Sequence, residues 1–219
     1  MTRIKRPRKS LHHWMLSLIP FMSLIGSILL LYYVVKPSHL NNDDPRGLDD
    51  PHPISLLTDD PSSIIITADV RGNLGPPETM LNNGTDWIKD RWQAASDLHG
   101  TAIKGTHWVR LDFSSYVTVS TVILDWEAAY SDDYRLEGRI HEFEEYIPMF
   151  DSKVDSSRRT KLEAGQSPGV KSKIPLHVIH AIEILRESKK LRQFRILIRT
   201  SAMGWGVSLW QIKIFGRRC

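Results

Sequence analysis

Near its C-terminus the chain alternates large apolar and polar residues at a period close to two. In GWGVSLWQIKIFG, Gly204 to Gly216, the residues Val207, Leu209, Ile212 and Ile214 are separated by Ser208, Gln211 and Lys213, the pattern of a half-buried strand. The same period marks HWVRLDF through Val109, Leu111 and Phe113, VTVSTVILDWE through Val117, Val119, Val122, Leu124 and Trp126, and FRILIRT through Phe194, Ile196 and Ile198. β-Branched and aromatic residues, which fit a pleated surface, fill these segments. Several short strands joined by turn-rich loops, without internal repeats or regular alternation with helices, predict an all-β sandwich over 64–219. A domain of 156 residues buries around 70% of its unfolded surface, enough for a core.

Two stretches are harder to assign. His141 to Ile174 carries Arg158, Arg159, Lys161, Gly165, Pro168 and Gly169 and reads as a long surface excursion. His177 to Phe194 places Val178, Ala181, Ile182 and Leu185 at helical spacing. It fits a short helix, or a strand followed by a charged turn.

A different pattern rules the N-terminal part. Trp14 to Val35 contains no side chain charged at neutral pH, and a helix of that length, at about 1.5 Å per residue, spans roughly the 30 Å of a bilayer core. Trp14, Tyr32 and Tyr33 fall where interfacial aromatics belong. Five basic residues precede the span and Lys36 alone follows closely, so the positive-inside rule places residues 1–13 in the cytosol and the rest in a lumenal or extracellular space. A cleaved signal peptide has a shorter apolar region ending in small residues, whereas this run ends Leu31, Tyr32, Tyr33, Val34, Val35. The expectation is a single-pass type II membrane protein with a signal anchor at 14–35.

Charge qualifies the overall pI of 9.2. Residues 1–36 hold six basic and no acidic residues, leaving 23 basic against 25 acidic residues beyond them. The basicity belongs to the tail, which removes the electrostatic footprint of a nucleic-acid binder. Residues 36–63 interleave Pro37, Pro45, Pro51, Pro53 and Pro61 with three Asp pairs and predict an extended, solvated stalk.

The order of several motifs within 64–216 resembles the discoidin, or coagulation factor V/VIII type C, family of galactose-binding-like modules. They are Asn83-Gly84 followed by Arg91-Trp92, the strand Trp108 to Phe113, LDWEAAYSDDYRLEG from Leu124 to Gly138, the strand Arg195 to Arg199, and the terminal SLWQIKIFG. The resemblance implies an eight-stranded jelly-roll β-sandwich with ligand-binding loops at one end and the termini at the other. One departure is that YRLEGRIHEFEEYIPMF replaces the family's S-x-D-G-x-x-W segment. Another is that Cys219 stands alone, so it remains a free thiol or links two chains in a disulfide-bonded homodimer.

The resemblance also implies ligands. A structural calcium in the family's position would draw on Asn83, Asp86, Asp90 and Gln211 with backbone carbonyls, since calcium accepts about six to eight oxygens, neutral ones included. The alternative is a loop hydrogen-bonded without metal. Asn83-Gly84-Thr85 is also the chain's glycosylation sequon, and a glycan and a metal on the Asn83 side chain exclude each other. Trp92, Trp108 and Trp210 match the family's core positions, while Trp87, Tyr130 and Trp205 fall in loops. A carbohydrate partner would stack a C–H face on such loop aromatics, with His107, Asp132, Asp133 and Arg135 binding its hydroxyls.

Catalysis has no comparable footing. The sequence lacks a nucleophile elbow, P-loop, HExxH or CxxC. His177 and His180 are embedded among Val178, Ile179 and Ile182 and read as core-edge histidines. The sequence therefore predicts a membrane-anchored, non-catalytic module for carbohydrate or glycoprotein. The alternatives are an adhesion, protein- or phospholipid-binding module, and a Golgi-type enzyme acting on glycans, whose anchor–stalk–domain layout is the same.

Overall fold

The computed structural model describes residues 55–70, 75–81, 91–94, 105–165, 177–185, 190–204 and 206–219. The chain divides into two units, Met1–Asp49 and Asp50–Cys219, and the described residues all belong to the second. The predicted anchor at 14–35 lies outside them. Among the described residues no helix is long and apolar enough to cross a membrane.

The described residues form strands and three short 3-10 turns. In chain order the strands are β1 (Ser55–Leu56), β2 (Ile64–Ala68), β3 (Trp92–Gln93), β4 (His107–Glu127), β5 (Asp133–Arg139), β6 (Ile147–Asp151), β7 (Arg159–Ala164), β8 (His177–Glu183), β9 (Leu191–Thr200) and β10 (Ser208–Arg218). Eight of them are five residues or longer. All pairings are antiparallel.

β4 belongs to both layers of the sandwich. Its first half pairs with β2 and β9, which continue through β5 to β6. Its second half pairs with β10 and β8, and β8 with β7. The apolar phase of β4 runs through odd positions to Val119 and through even ones from Val122 to Trp126. A β-bulge explains the change: the register with β10 slips between Phe215 opposite Thr121 and Gly216 opposite Val119. Side chains from both layers meet in one core in which Trp92, Trp126, Tyr134, Phe150 and Phe194 are almost fully buried.

Three readings from the sequence change here, and one left open is decided. The stalk predicted for 36–63 ends sooner, because β1 pairs with β10; Leu57 is buried and donates its N–H to the Ile214 carbonyl at 2.7 Å. Trp108 is half-buried on the outer face of the first layer rather than in the core, since the alternation that turns Val109 inward turns its neighbour outward. The surface excursion at 141–174 contains two edge strands, β6 with the short apolar run IPMFD and β7 with the mostly polar RTKLEA. The segment from His177 is a strand, because pairing on both sides overrides the helical spacing of its apolar residues.

Candidate functional site

The ends of β4, β7 and β9 and the starts of β5 and β8 converge at the end of the sandwich away from β1. After β4 the chain turns through Ala128 to Asp132 before entering β5. This turn is fastened to the segment after β9: Ala202 N–H donates to the Tyr130 carbonyl, Ser208 N–H to the Ala129 carbonyl, and the Ser131 hydroxyl to the Thr200 carbonyl at 2.5 Å. The turn therefore holds Tyr130 and Asp132 at fixed positions on the rim.

β7 is an edge strand paired with β8 alone among the described residues, and its Arg159 and Lys161 are half-buried while Glu163 is exposed. Three cations cross three rings along this edge. Arg158 lies 5.5 Å from the Phe150 centroid, Arg159 5.8 Å from Tyr134 and Lys161 4.2 Å from Tyr130, distances at which a ring quadrupole attracts a cation. Lys161 Nζ also donates to the Tyr130 hydroxyl at 3.0 Å. Asp132 draws these cations together, 3.4 Å from Arg159 and 3.5 Å from Lys161, while its carboxylate stays 42% exposed. Burial opposes the Lys161 charge, but the Tyr130 hydroxyl and Asp132 outweigh it and raise its pKa.

His180 lies beneath this cluster and is fully buried. Trp126 Nε1, which can only donate, approaches its Nδ1 at 3.2 Å, and the Tyr134 hydroxyl approaches at 3.0 Å. Nδ1 is then the acceptor, so the neutral ring carries its proton on Nε2. That proton faces Asp132 Oδ1 at 3.5 Å, and neither atom has a hydrogen-bond partner among the described residues. Burial, with Arg159 and Lys161 nearby, pushes the His180 pKa down to about 3. The ring is neutral near physiological pH. Burial likewise raises the Tyr134 pKa.

Of the residues proposed from the sequence, Tyr130 and Asp132 come together in this cluster. Asp133 and Arg135 point to the opposite, outer face of β5, where they are consumed by an ion network. Arg199 bonds Asp133 at 2.6 Å and Asp151 at 2.6 and 2.8 Å, and Arg135 bonds Asp151 at 3.0 Å. Their alternation with buried Tyr134 put them on the wrong side of the strand for the rim. His107 turns inward, is buried, and pairs through Nδ1 with Asp69 at 2.7 Å, so it fastens the start of β4 rather than facing ligand. Trp87, Trp205, Asn83, Asp86 and Asp90 lie outside the described residues. Gln211 sits at a register shift in β10 opposite Asp125, and among the described residues no three His, Cys, Asp or Glu side chains cluster as metal ligands.

Arg159 and Lys161 were missed as site residues, although Arg159, Lys161 and Glu163 do show period-two spacing, whereas His180, read as a core-edge histidine, is buried. A second cluster occupies the outer face of the other layer. His177 stacks on Trp210 with centroids 5.2 Å apart and bonds Asp125 at 2.9 Å, while Arg91 bonds Glu127 at 2.9 Å and lies 5.9 Å from the Trp210 ring centroid. The Asp125 hydrogen bond raises the His177 pKa. Trp210 itself is buried, although its Nε1 has no hydrogen-bond partner among the described residues.

The described residues thus define an all-β two-layer sandwich with a polar and aromatic cluster at one end. No family model matches the chain, and no curated protein matches it in sequence. Among solved structures it is similar to chitosan-binding module 1 of a chitosanase/glucanase from Paenibacillus sp. IK-5, at 15% identity over 74% of this chain and 99% of that one, with a TM-score of 0.49. It is also similar to the family 32 carbohydrate-binding module of C. perfringens NanJ, solved with galactose, at 9% identity over 74% and 99% of the two chains, TM-score 0.49. Allantoicase from Saccharomyces cerevisiae matches at 16% identity over 74% of this chain and 43% of that one, with the same TM-score of 0.49.

Proposed function

We propose that the domain is a non-catalytic glycan-binding module, displayed by a signal anchor at 14–35 on the lumenal or extracellular side of a membrane. The observation that carries this reading is the rim cluster of Tyr130, Asp132 and Lys161. It combines an aromatic ring, a partly exposed carboxylate and an ammonium, the groups that a sugar's C–H face and vicinal hydroxyls require. The buried His180 and the cation-covered rings hold these side chains in place, and preorganised groups bind at lower entropic cost. The discoidin-like order of sequence motifs supports the same end of the sandwich as the ligand end.

Calcium is proposed as a structural ion held by Asn83, Asp86, Asp90 and Gln211. A glycan array probed with the full chain in nanodiscs, with calcium and with a chelator, tests both readings. Binding to a defined set of glycans is expected, with Asp132→Asn and Lys161→Met each reducing it by about tenfold or more, the usual cost of losing a charged hydrogen-bonding group. No bound glycan, or binding indifferent to both substitutions, would overturn the assignment. Mass spectrometry that finds Asn83 fully glycosylated would remove it from the calcium site.

A further inference from the structure

At the opposite end, β5, β6 and the segments flanking β8 and β9 enclose an apolar groove with a free volume of about 210 Å³. Ile140, Ile147, Met149, Ile184 and Leu191 line it, with Leu185 and Lys190 at its margin. Gly138 forms part of the wall, and a Cβ there would come within 2.7 Å of Leu191 and 3.0 Å of Met149. The location is the β1 end, because Ile184 N–H bonds the Ser120 carbonyl beside the Gly216–Val119 pairing.

The wall of this groove rises into the turn between β5 and β6, which carries Phe143 at its tip. Phe143 is 99% exposed, and Leu185 and Ile147 beside the groove are 62% and 43% exposed. Glu142, Glu144 and Glu145 flank the ring and form no salt bridge among the described residues. Lys190 is exposed and likewise has no ion-pair partner among them. One small region therefore presents an apolar knob in an acidic collar and an apolar recess with a basic margin.

We propose that the chain forms a homodimer in which Phe143 of each copy inserts into the groove of the other. Size agrees: a dry cavity of about 150 Å³ admits benzene, and this groove is larger. Charge agrees, since insertion brings the glutamate collar to Lys190 of the facing copy. Closure agrees as well. Knob and recess are neighbours on one surface, so a single two-fold axis passing between them satisfies both contacts at once and leaves neither for a third copy. Association at this end keeps the Tyr130 rim of both copies free.

The test places the photocrosslinker p-benzoyl-phenylalanine at position 185, in place of Leu185, in the full chain expressed in membranes. Irradiation is expected to give a product of twice the chain mass, with the crosslink in the peptide bearing residues 141–146. Phe143→Asp is expected to cut the yield at least tenfold, in the range of an interface anchor, while leaving the strand content by circular dichroism unchanged, because the ring is 99% exposed within one copy. Lys190→Glu is expected to lower the yield too. A product containing a lipid or a different protein, a crosslink elsewhere in the second copy, no product, or a yield indifferent to Phe143→Asp would each overturn the proposal.

Discussion

His180→Gln tests whether a buried neutral imidazole sets the pH dependence of stability. The Gln side chain keeps an oxygen acceptor for Trp126 Nε1 and removes the titrating group. In the native protein the ring stays neutral down to a pKa of about 3, whereas in the unfolded chain it protonates near its usual value of about 6.5. The native pKa is depressed, so the unfolded state binds more protons throughout the interval between those values. Stability is therefore complete above the unfolded pKa and falls as pH drops below it, by about 1.4 kcal/mol per unit. From pH 6.5 to 4.5 the simple slope gives about 2.7 kcal/mol. The unfolded ring is only half protonated at the upper limit, which lowers the slope there, so about 2 kcal/mol is expected.

The substitution itself should cost about 1–2 kcal/mol at pH 7.5 through imperfect bonding to Trp126 and Tyr134. Urea denaturation of wild type and variant at half-unit steps from pH 7.5 to 4.5 measures the gap between them. The gap should narrow toward acid and close or reverse near pH 5. Carboxylate titration lies mainly below this window and cancels in the difference. His177 provides the opposite sign: its pKa is raised by Asp125, so its contribution is present below the unfolded value and lost as pH rises through the folded one. The gap between wild type and His177→Gln should thus widen toward acid. A His180→Gln gap that stays constant across the range would refute the buried neutral assignment.

Gly216→Ala should lower stability by at least about 2 kcal/mol in thermal unfolding, because its Cβ would lie 1.9 Å from the Thr118 carbonyl oxygen. Gly204→Ala meets nothing within 4 Å and carries only the strain of φ +72°, so about 1 kcal/mol is expected. Asp151→Asn should cost about 1–2 kcal/mol at pH 7, measured by urea midpoints, since it breaks charge-assisted bonds to Arg199 and Arg135 that are partly screened by solvent. The Arg199 hydrogen bonds hold the Asp151 pKa below the usual range, so that contribution is lost as pH falls through the depressed value, and the Asn penalty should shrink in strong acid.

The strands were legible where one face is apolar and the other polar. HWVRLDF, FRILIRT and SLWQIKIFG state their buried faces directly, and a period of two has no other packed solution. β7 was not legible as a strand because an edge needs no continuous apolar face: Arg159 and Lys161 cover rings with their cations and stems instead of filling the core. β8 was ambiguous because its apolar residues satisfy both periods over so short a run. In the site, alternation alone separated Asp132 from Asp133, but which of the two faces the rim depends on where the turn from β4 enters β5.

The sequence by itself determined an all-β domain, its two-sided strands, an apolar run at 14–35 and the confinement of excess positive charge to the N-terminal tail. These follow from the order of side chains along one chain. The tertiary structure alone decided that His180 is buried with Trp126 and Tyr134, that Asp132 gathers Arg159 and Lys161 while Asp133 is spent on Arg199, and that His107 faces inward to Asp69. Such partners lie on different strands, far apart in sequence. Only the pairing register and the bulge in β4 bring them within a hydrogen bond of one another.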